Sequence, residues 1–210
     1  MYEPEEVVTD IAQIRAAQPV IQPAQQAKII DRIDRHCRIW IERSPYMVMA
    51  TRRADGGMDI SPKGDPAGFV KVLDEKTLAI PDRPGNHRFD GFRNILETGD
   101  VSLLFLVPDR NEVVRVGGTA RIVTDPELRE AMAIKGRVPE FAVVVRVAEA
   151  FYHCGKAAIR SGLWRPGTWP GIEGLPTYAE AVFDHGNGMQ DFEEIDARLR
   201  HNDANRLYDE

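Results

Sequence analysis

The sequence is poor in cysteine. Its two cysteines, Cys37 and Cys154, lie far apart and without cysteine neighbours. A Cys/His zinc site needs ligand pairs at short spacing, and a disulfide framework needs several cysteines. Cys154 follows His153, but adjacent residues on a strand point to opposite faces. We therefore expect two reduced core thiols and no metal site, as is typical of a cytoplasmic protein.

Long apolar runs are also missing. No run approaches the roughly 18 residues that a membrane-spanning helix requires. The first ten residues, MYEPEEVVTD, are acidic where a signal peptide would be basic. The sequence therefore predicts a cytoplasmic protein with no membrane partner.

The chain has no excess of positive charge. It carries 33 acidic and 27 basic residues, for a net charge of −6 and a pI near 5.5. Nucleic-acid binding needs a basic face against the phosphate backbone, so we expect no nucleic-acid partner. Neither a G-x-G-x-x-G fingerprint nor a Walker loop occurs, which argues against dinucleotide-binding and P-loop folds.

What the sequence does contain is a series of short strand patterns with turn residues between them. Of its 210 residues, 43% are hydrophobic, enough for one sizeable core. Apolar spacing predicts a long helix over 25–43, and after it about six strands joined by tight turns such as Asp55-Gly56-Gly57. The pair Gly117-Gly118 predicts a β-bulge. This pattern favours a closed or partly closed antiparallel barrel with small helices around it.

One turn concentrates hydrogen-bond donors. In IPDRPGNHR, residues 80–88, and the helix pattern that follows it, Arg83, Arg88 and Arg93 can each donate to an oxyanion, and Asn86 adds amide donors. The predicted helix starts near Arg88 and would offer free backbone N–H groups and its positive dipole end. Together these features predict a phosphate site, although a solvated turn before a surface helix has the same composition.

A second segment points to the same chemistry. In DISPKGDPAGF, residues 59–69, Ser61 and Lys63 are two apart and so lie on the same side of a strand. Pro62 between them cannot donate to a sheet ladder, which is unusual in a central strand. If the two hairpins are neighbours, Lys63 and Arg88 converge on one anion.

These two segments, with TLAIPDRPGNHRFDGFRNI, GDVSLLFLV and FYHCGKAAIRSGLW, resemble the pyridoxamine 5′-phosphate oxidase-like flavoproteins. The similarity covers roughly residues 25–165 and is greatest to a bacterial FMN-binding subgroup with a Ser-Pro-Lys-Gly-Asp motif. The resemblance implies a six-stranded antiparallel split β-barrel with peripheral helices. It also implies a homodimer with FMN in two clefts at the interface. We accordingly divide the chain into an N-terminal arm (1–24), an FMN-binding barrel domain (25–165) and a C-terminal extension (166–210) packing near the cofactor cleft.

The resemblance also implies which residues contact the cofactor. It assigns the phosphate to polar and cationic residues of the second strand and of the turn after the fourth. It assigns the flavin ring to residues at the end of the fourth strand, and it implies that the partner subunit adds residues that follow the last strand. The residues assigned to the phosphate are Ser61, Lys63, Asn86, Arg88 and Arg93. Those assigned to the flavin ring are Ile80 and Asp82, and those contributed by the partner subunit are Trp164 and Arg165.

The function implied is that of an FMN-dependent oxidoreductase, with hydride transfer between flavin N5 and a small substrate that the sequence does not identify. The chain lacks the Arg-, Asp- and His-rich C-terminal signature of true pyridoxamine phosphate oxidases, so that substrate is not expected. Two alternatives stay open. One is a flavin carrier or sensor without turnover. The other is a member of the same fold that binds haem or a deazaflavin, with His153 as the one histidine placed to be an axial ligand.

Overall fold

A computed structural model describes residues 1–18 and 20–209. Its centre is one antiparallel sheet of seven strands in the order β2-β1-β5-β6-β7-β4-β3. The strands are β1 (Tyr46–Arg52), β2 (Met58–Gly64), β3 (Lys71–Asp74), β4 (Thr77–Pro81), β5 (Asp100–Leu106), β6 (Val113–Val123) and β7 (Ala142–His153).

The predicted fold class is confirmed: the protein is mainly β, antiparallel and not fully closed, with helices around the sheet. The predicted strand number of six is wrong. The short strand β3 pairs with β4 as an edge strand of its own, which brings the number to seven. The predicted turn between β1 and β2 is present, with Gly56 at φ +89°.

Short helices decorate the sheet. They are α1 (Ile11–Ala17), α2 (Pro23–Ala27), α3 (Arg35–Arg43), α4 (Asp90–Glu97), α5 (Pro126–Glu130), α6 (Lys156–Ser161), α7 (Tyr178–His185) and α8 (Phe192–Asn205), with a 3₁₀ turn at Pro166–Thr168. Among the helices of the described residues, none is long and apolar enough to cross a membrane.

The single long helix expected over 25–43 is wrong. Between α2 and α3 the backbone of Ile30 pairs with that of Ala150 in β7. The Ile30 N–H donates to the Ala150 carbonyl at 3.1 Å, and the Ala150 N–H donates to the Ile30 carbonyl at 2.7 Å. Asp34 then caps α3, because its carboxylate accepts from the backbone N–H of Cys37 at 2.8 Å. A contact with a distant strand therefore overrides the local helical pattern.

The bulge predicted at Gly117-Gly118 is confirmed by a register shift between β6 and β7 at that pair. A Cβ on Gly118 would lie 2.0 Å from the carbonyl oxygen of Arg146, so only glycine fits this crossing of strands. The shift lets the two longest strands bend sharply together, which curls the sheet.

The core lies inside this curl, under α3. Trp40 is buried, donates from Nε1 to the carbonyl of Phe105 at 3.2 Å and meets the ring of Tyr152 edge-on. Cys37 is buried beside it, and burial raises the pKa of its thiol to about 12. Cys154 is exposed, so the expected second core thiol is wrong: β7 ends at His153 and the chain leaves the sheet there. The largest fully buried side chains are Ile33, Ile41, Met47, Met49, Val70, Leu78, Ile80, Leu103, Phe105, Val114, Val116 and Ile195.

Candidate active site

A groove of about 1220 Å³ opens at one end of the curled sheet. It is bordered by β2, by the loop that follows β4 with the start of α4, by residues 136–141 and by the C-terminal residues 201–209. In the sheet order β2 and β4 are separated by four strands. Curling of the sheet therefore brings together two segments that pairing alone would keep apart.

The β2 side of the groove presents alternate side chains. Asp59, Ser61 and Lys63 are half-buried and line the groove, as expected for residues two apart on a strand. Pro62 sits opposite Val48 of β1, and β2 is an edge of the sheet. A proline is tolerated there because an edge strand needs fewer ladder donors.

The loop after β4, residues 82–89, supplies the opposite side. The side-chain oxygen of Asn86 accepts from the backbone N–H of Arg88 at 3.1 Å, which fixes a tight turn. His87 and Phe89 have φ of +54° and +55°, an unusual conformation for non-glycine residues that costs free energy. Such cost is common where a loop is shaped to hold a ligand.

The helix α4 begins at the groove. Phe89 is its N-cap residue, and residues 89–92 line the groove. The first N–H groups of a helix have no partner within it, and they carry the positive end of the helix dipole. The start of α4 thus adds backbone donors to the groove that Lys63 and the 82–89 loop also line.

A buried amide fixes the direction of α4. Asn94 is 2% exposed and donates from Nδ2 to Thr51 Oγ1 at 2.9 Å and to Asp59 Oδ2 at 2.7 Å. These bonds tie the helix to β1 and β2 and so aim its first turn into the groove. Sequence reasoning missed Asn94, which resembles an ordinary polar residue of a helix.

The cations of the loop have different partners. Arg88 is exposed, and its Nε lies 2.6 Å from Asp90 Oδ2; this hydrogen bond raises the pKa of Arg88. Arg83 is mostly buried, with its Nε 2.7 Å from Asp65 Oδ2 and its Nη2 2.8 Å from the carbonyl of Met132. Arg83 is therefore committed to internal partners, although the sequence placed it among the anion donors.

A sequence model of the family described as pyridoxamine 5′-phosphate oxidase matches residues 33–154, more than half of the chain. The chain belongs to this family. The matched range contains all seven strands, α4 and the loop that borders the groove. The family resemblance inferred from the sequence is thus confirmed.

Solved structures with a similar chain are also known. HupZ of Group A Streptococcus is 25% identical, with 57% of this chain and 93% of that chain covered and a TM-score of 0.46. A candidate pyridoxamine 5′-phosphate oxidase of Lactobacillus delbrueckii is 22% identical over 58% of this chain and 99% of that one, with a TM-score of 0.45. An FMN-binding protein of Syntrophomonas wolfei is 12% identical over 58% and 89%, also at 0.45. No curated protein matches the sequence.

The structure of this oxidase-family chain brings together most residues predicted for the phosphate. Ser61, Lys63, Asn86 and Arg88 all line the one groove, and so does Asp82. Lys63 and Arg88 were expected to converge if their hairpins were neighbours; they share the groove, but through curling of the sheet rather than through pairing of the hairpins.

Four other predicted residues lie elsewhere within the single chain. Ile80 is 1% exposed, and its side chain points into the core. Arg93 is exposed on α4 and does not line the groove. Trp164 donates from Nε1 to the carbonyl of Arg110 at 2.7 Å, and Arg165 donates from Nη2 to the carbonyl of Ile159 at 3.0 Å. Their assignment to the groove of a partner subunit stays a prediction.

The C-terminal segment also reaches the groove, through His201, Asn205, Arg206, Tyr208 and Asp209. The Tyr208 hydroxyl donates to Asp65 Oδ1 at 2.8 Å, and this bond raises the pKa of Tyr208. Asp209 forms an ion pair with Arg137, with Arg137 Nε 2.6 Å from Asp209 Oδ1 and Arg137 Nη2 2.9 Å from Asp209 Oδ2. The predicted division at 24 and 165 stays a prediction.

Sequence reasoning missed Tyr208 and Asp209 of the C-terminal segment and Arg137 of the loop before β7, because single polar residues outside a motif carry no signal. Asp65 could have been found, since it ends the Ser-Pro-Lys-Gly-Asp motif. Across residues 1–18 and 20–209, no cluster of three or more His, Cys, Asp or Glu side chains could hold a metal ion.

Proposed function

We propose that this protein binds FMN in the groove and acts as an FMN-dependent oxidoreductase on a small substrate. The observation that carries the proposal is the meeting of two donor segments in one groove: Ser61 and Lys63 on one side, and Asn86, Arg88 and the start of α4 on the other. When bound, FMN would supply the hydride chemistry at its N5 atom, so the protein needs no nucleophile and base of its own.

The donor set fits a phosphate group. Lys63 offers an ammonium group, Ser61 a hydroxyl and Arg88 a guanidinium group, all lining the same space. The backbone N–H groups at the start of α4 add neutral donors with the favourable dipole end. Arg93 lies outside the groove, and we leave it out of the proposed set.

Arg88 can serve a phosphate without disturbing the fold. Its side chain is 71% exposed, and its partner Asp90 is also accessible. Exposed ion pairs contribute little to stability, so exchanging the Asp90 carboxylate for a phosphate costs little. Arg88 stays cationic after this exchange, because an arginine guanidinium is not deprotonated in proteins.

The end of β4 is placed to face the flavin ring in this proposal. Asp82 lines the groove, whereas Ile80 can contribute only its backbone because its side chain is buried. We further propose a homodimer in which Trp164 and Arg165 of each subunit complete the groove of the other. Trp164 and Arg165 lie beyond β7, outside the groove of their own chain.

The first test is purification without added cofactor, followed by an absorbance spectrum and the mass of any released ligand. We expect flavin absorbance bands and the mass of FMN. A Soret band would indicate haem instead. A colourless protein that takes up no added FMN would contradict the proposal.

The second test uses the variant Lys63→Ala/Arg88→Ala. We expect FMN retention to be lost, with a fall in affinity of about 100-fold or more, because two charge-assisted hydrogen bonds to the phosphate disappear. Far-UV circular dichroism should be unchanged, since both side chains are accessible. The matched control is Arg93→Ala, an exposed arginine outside the groove, which should retain FMN. Full retention in the double variant would refute the phosphate assignment.

Turnover is a separate question from binding. Mixing the loaded protein with NADH, NADPH or other reductants under anaerobic conditions, and following the flavin absorbance, distinguishes an oxidoreductase from a carrier. We expect rapid bleaching with at least one donor. Stable absorbance with every donor would favour a carrier or sensor.

A further inference from the structure

Asp65 is a buried carboxylate at the centre of three segments. Its side chain is 1% exposed, yet both of its oxygens are used: Oδ2 accepts from Arg83 Nε at 2.7 Å and Oδ1 accepts from the Tyr208 hydroxyl at 2.8 Å. Its backbone N–H donates to the carbonyl of Pro45 at 3.1 Å. Burying a charge costs free energy unless the charge is paired and hydrogen-bonded, so the buried Asp65 carboxylate depends on both of these partners.

The position of Asp65 relates it to the proposed phosphate site. It lies two residues after Lys63 in the chain, and its partner Arg83 opens the loop that contains Asn86 and Arg88. Arg83 is held a second time through Met132, and the far end of the loop continues into α4, which Asn94 ties to Asp59. The Asp65–Arg83 pair thus links the two halves of the donor set at the start of the loop, as the Asn94–Asp59 hydrogen bond does at its far end.

We infer that Asp65 is a positioning residue: by binding Arg83 it sets the separation between Lys63 and the donors of the 82–89 loop, and so determines how well the groove holds a phosphate. This inference rests on the proposed FMN function. Asp65 does not line the groove itself, and a carboxylate would repel a phosphate rather than bind it. Its contribution is therefore geometric, through pre-organisation of the donors.

Two other roles for the pair make different predictions. If Asp65 only masked the positive charge of Arg83, Asp65→Asn would strengthen phosphate binding and Arg83→Gln would weaken it, because the two changes alter the local charge in opposite directions. If the pair only stabilised the fold, both changes would weaken binding of any flavin equally. Positioning predicts that both changes weaken phosphate binding in particular.

The experiment compares FMN with riboflavin, which lacks the phosphate. The ratio of their dissociation constants, riboflavin over FMN, measures the phosphate contribution by fluorescence titration. We expect a ratio of about 100 or more in the unmodified protein, from two charge-assisted bonds. We expect Asp65→Asn and Arg83→Gln each to lower the ratio about fivefold or more, the effect of one misplaced bond, with riboflavin affinity nearly unchanged.

Each result is decisive for one claim. A ratio near one in the unmodified protein would refute the proposed phosphate site itself. A high ratio there, combined with an unchanged ratio in both variants or a raised ratio in Asp65→Asn, would overturn the positioning role alone. If a single variant does not fold, Asp65→Asn/Arg83→Gln removes both charges together. It should still lower the ratio about twofold to threefold, since a neutral hydrogen bond is weaker; an unchanged ratio in that variant would also overturn the role.

Discussion

Arg83 and Arg88 belong to one loop and form ion pairs of nearly equal length, 2.7 Å to Asp65 and 2.6 Å to Asp90. Their surroundings differ. The side chains of the inner pair are 17% and 1% exposed, whereas those of the outer pair are 71% and 36% exposed. Water screens the outer pair and replaces either partner readily, but it cannot do so for Asp65.

Under the proposed function, this difference separates a structural arginine from a ligand-binding arginine within a few residues. The inner pair joins the loop to the segment after β2 and to Tyr208 of the C-terminal segment. The outer pair leaves a cation at the groove wall with a partner that another anion can displace. The proposed function uses both arginines: Arg83 holds the loop in place through a buried partner, and Arg88 has an exposed partner that a ligand can replace.

The two ion pairs can be tested by removing each arginine in turn and measuring the free energy of unfolding by urea denaturation. We expect Arg83→Ala to lower it by about 3 kcal/mol, because the change leaves the buried Asp65 side chain without its ion-pair partner. The melting temperature should fall by roughly 6–12 °C for a chain of this size.

The matched variant is Arg88→Ala, which removes an equal charge from the same loop. Its unfolding curve should overlie that of the unmodified protein, because the side chain is exposed. Equal destabilisation by the two variants would show that burial does not separate the pairs.

A smaller effect should come from Tyr208→Phe. The change removes one hydrogen bond to Asp65 and leaves both charges of the inner pair in place. We expect a loss of about 1 kcal/mol. The hydrogen bond raises the folded-state pKa of Tyr208 above its unfolded value. Its contribution to the free energy of unfolding is therefore complete below about pH 10 and is lost as the pH rises further.

The control for Tyr208→Phe is Tyr178→Phe, since Tyr178 is 67% exposed. Both variants should be compared by thermal unfolding at pH 8 and again above pH 10. A Tyr208 effect no larger than that of Tyr178, or one that grows with pH, would be inconsistent with a hydroxyl that supports Asp65.

The parts of the fold that the sequence predicts are those that local residues determine. The Asp55-Gly56-Gly57 turn and the Gly117-Gly118 bulge are present because few other residues tolerate the required backbone. The helix expected over 25–43 is interrupted at Ile30, because the Ile30 backbone pairs with β7 in spite of the helical spacing of the apolar residues. A local sequence pattern cannot predict pairing with a strand more than a hundred residues away in the chain.

The same limit applies to the groove. Alternation along β2 predicts that Ser61 and Lys63 share a side, which the structure bears out. The sequence cannot distinguish Arg83 from Arg88, because their difference lies in burial and depends on Asp65, Met132 and Tyr208. Which arginine is buried and which is exposed is therefore a property of the packed molecule.

A smaller change in affinity should follow from altering the outer pair alone. In Asp90→Asn the carboxylate that competes for Arg88 is gone, and so is a negative charge at the groove wall. We expect FMN affinity to rise about threefold, a gain in the range of one exposed ion pair. The control is Asp100→Asn, whose ion pair with Arg52 is also exposed but lies outside the groove. A fall in affinity in Asp90→Asn would mean that Asp90 orients Arg88 toward its ligand, and that the outer pair is as fixed as the inner one.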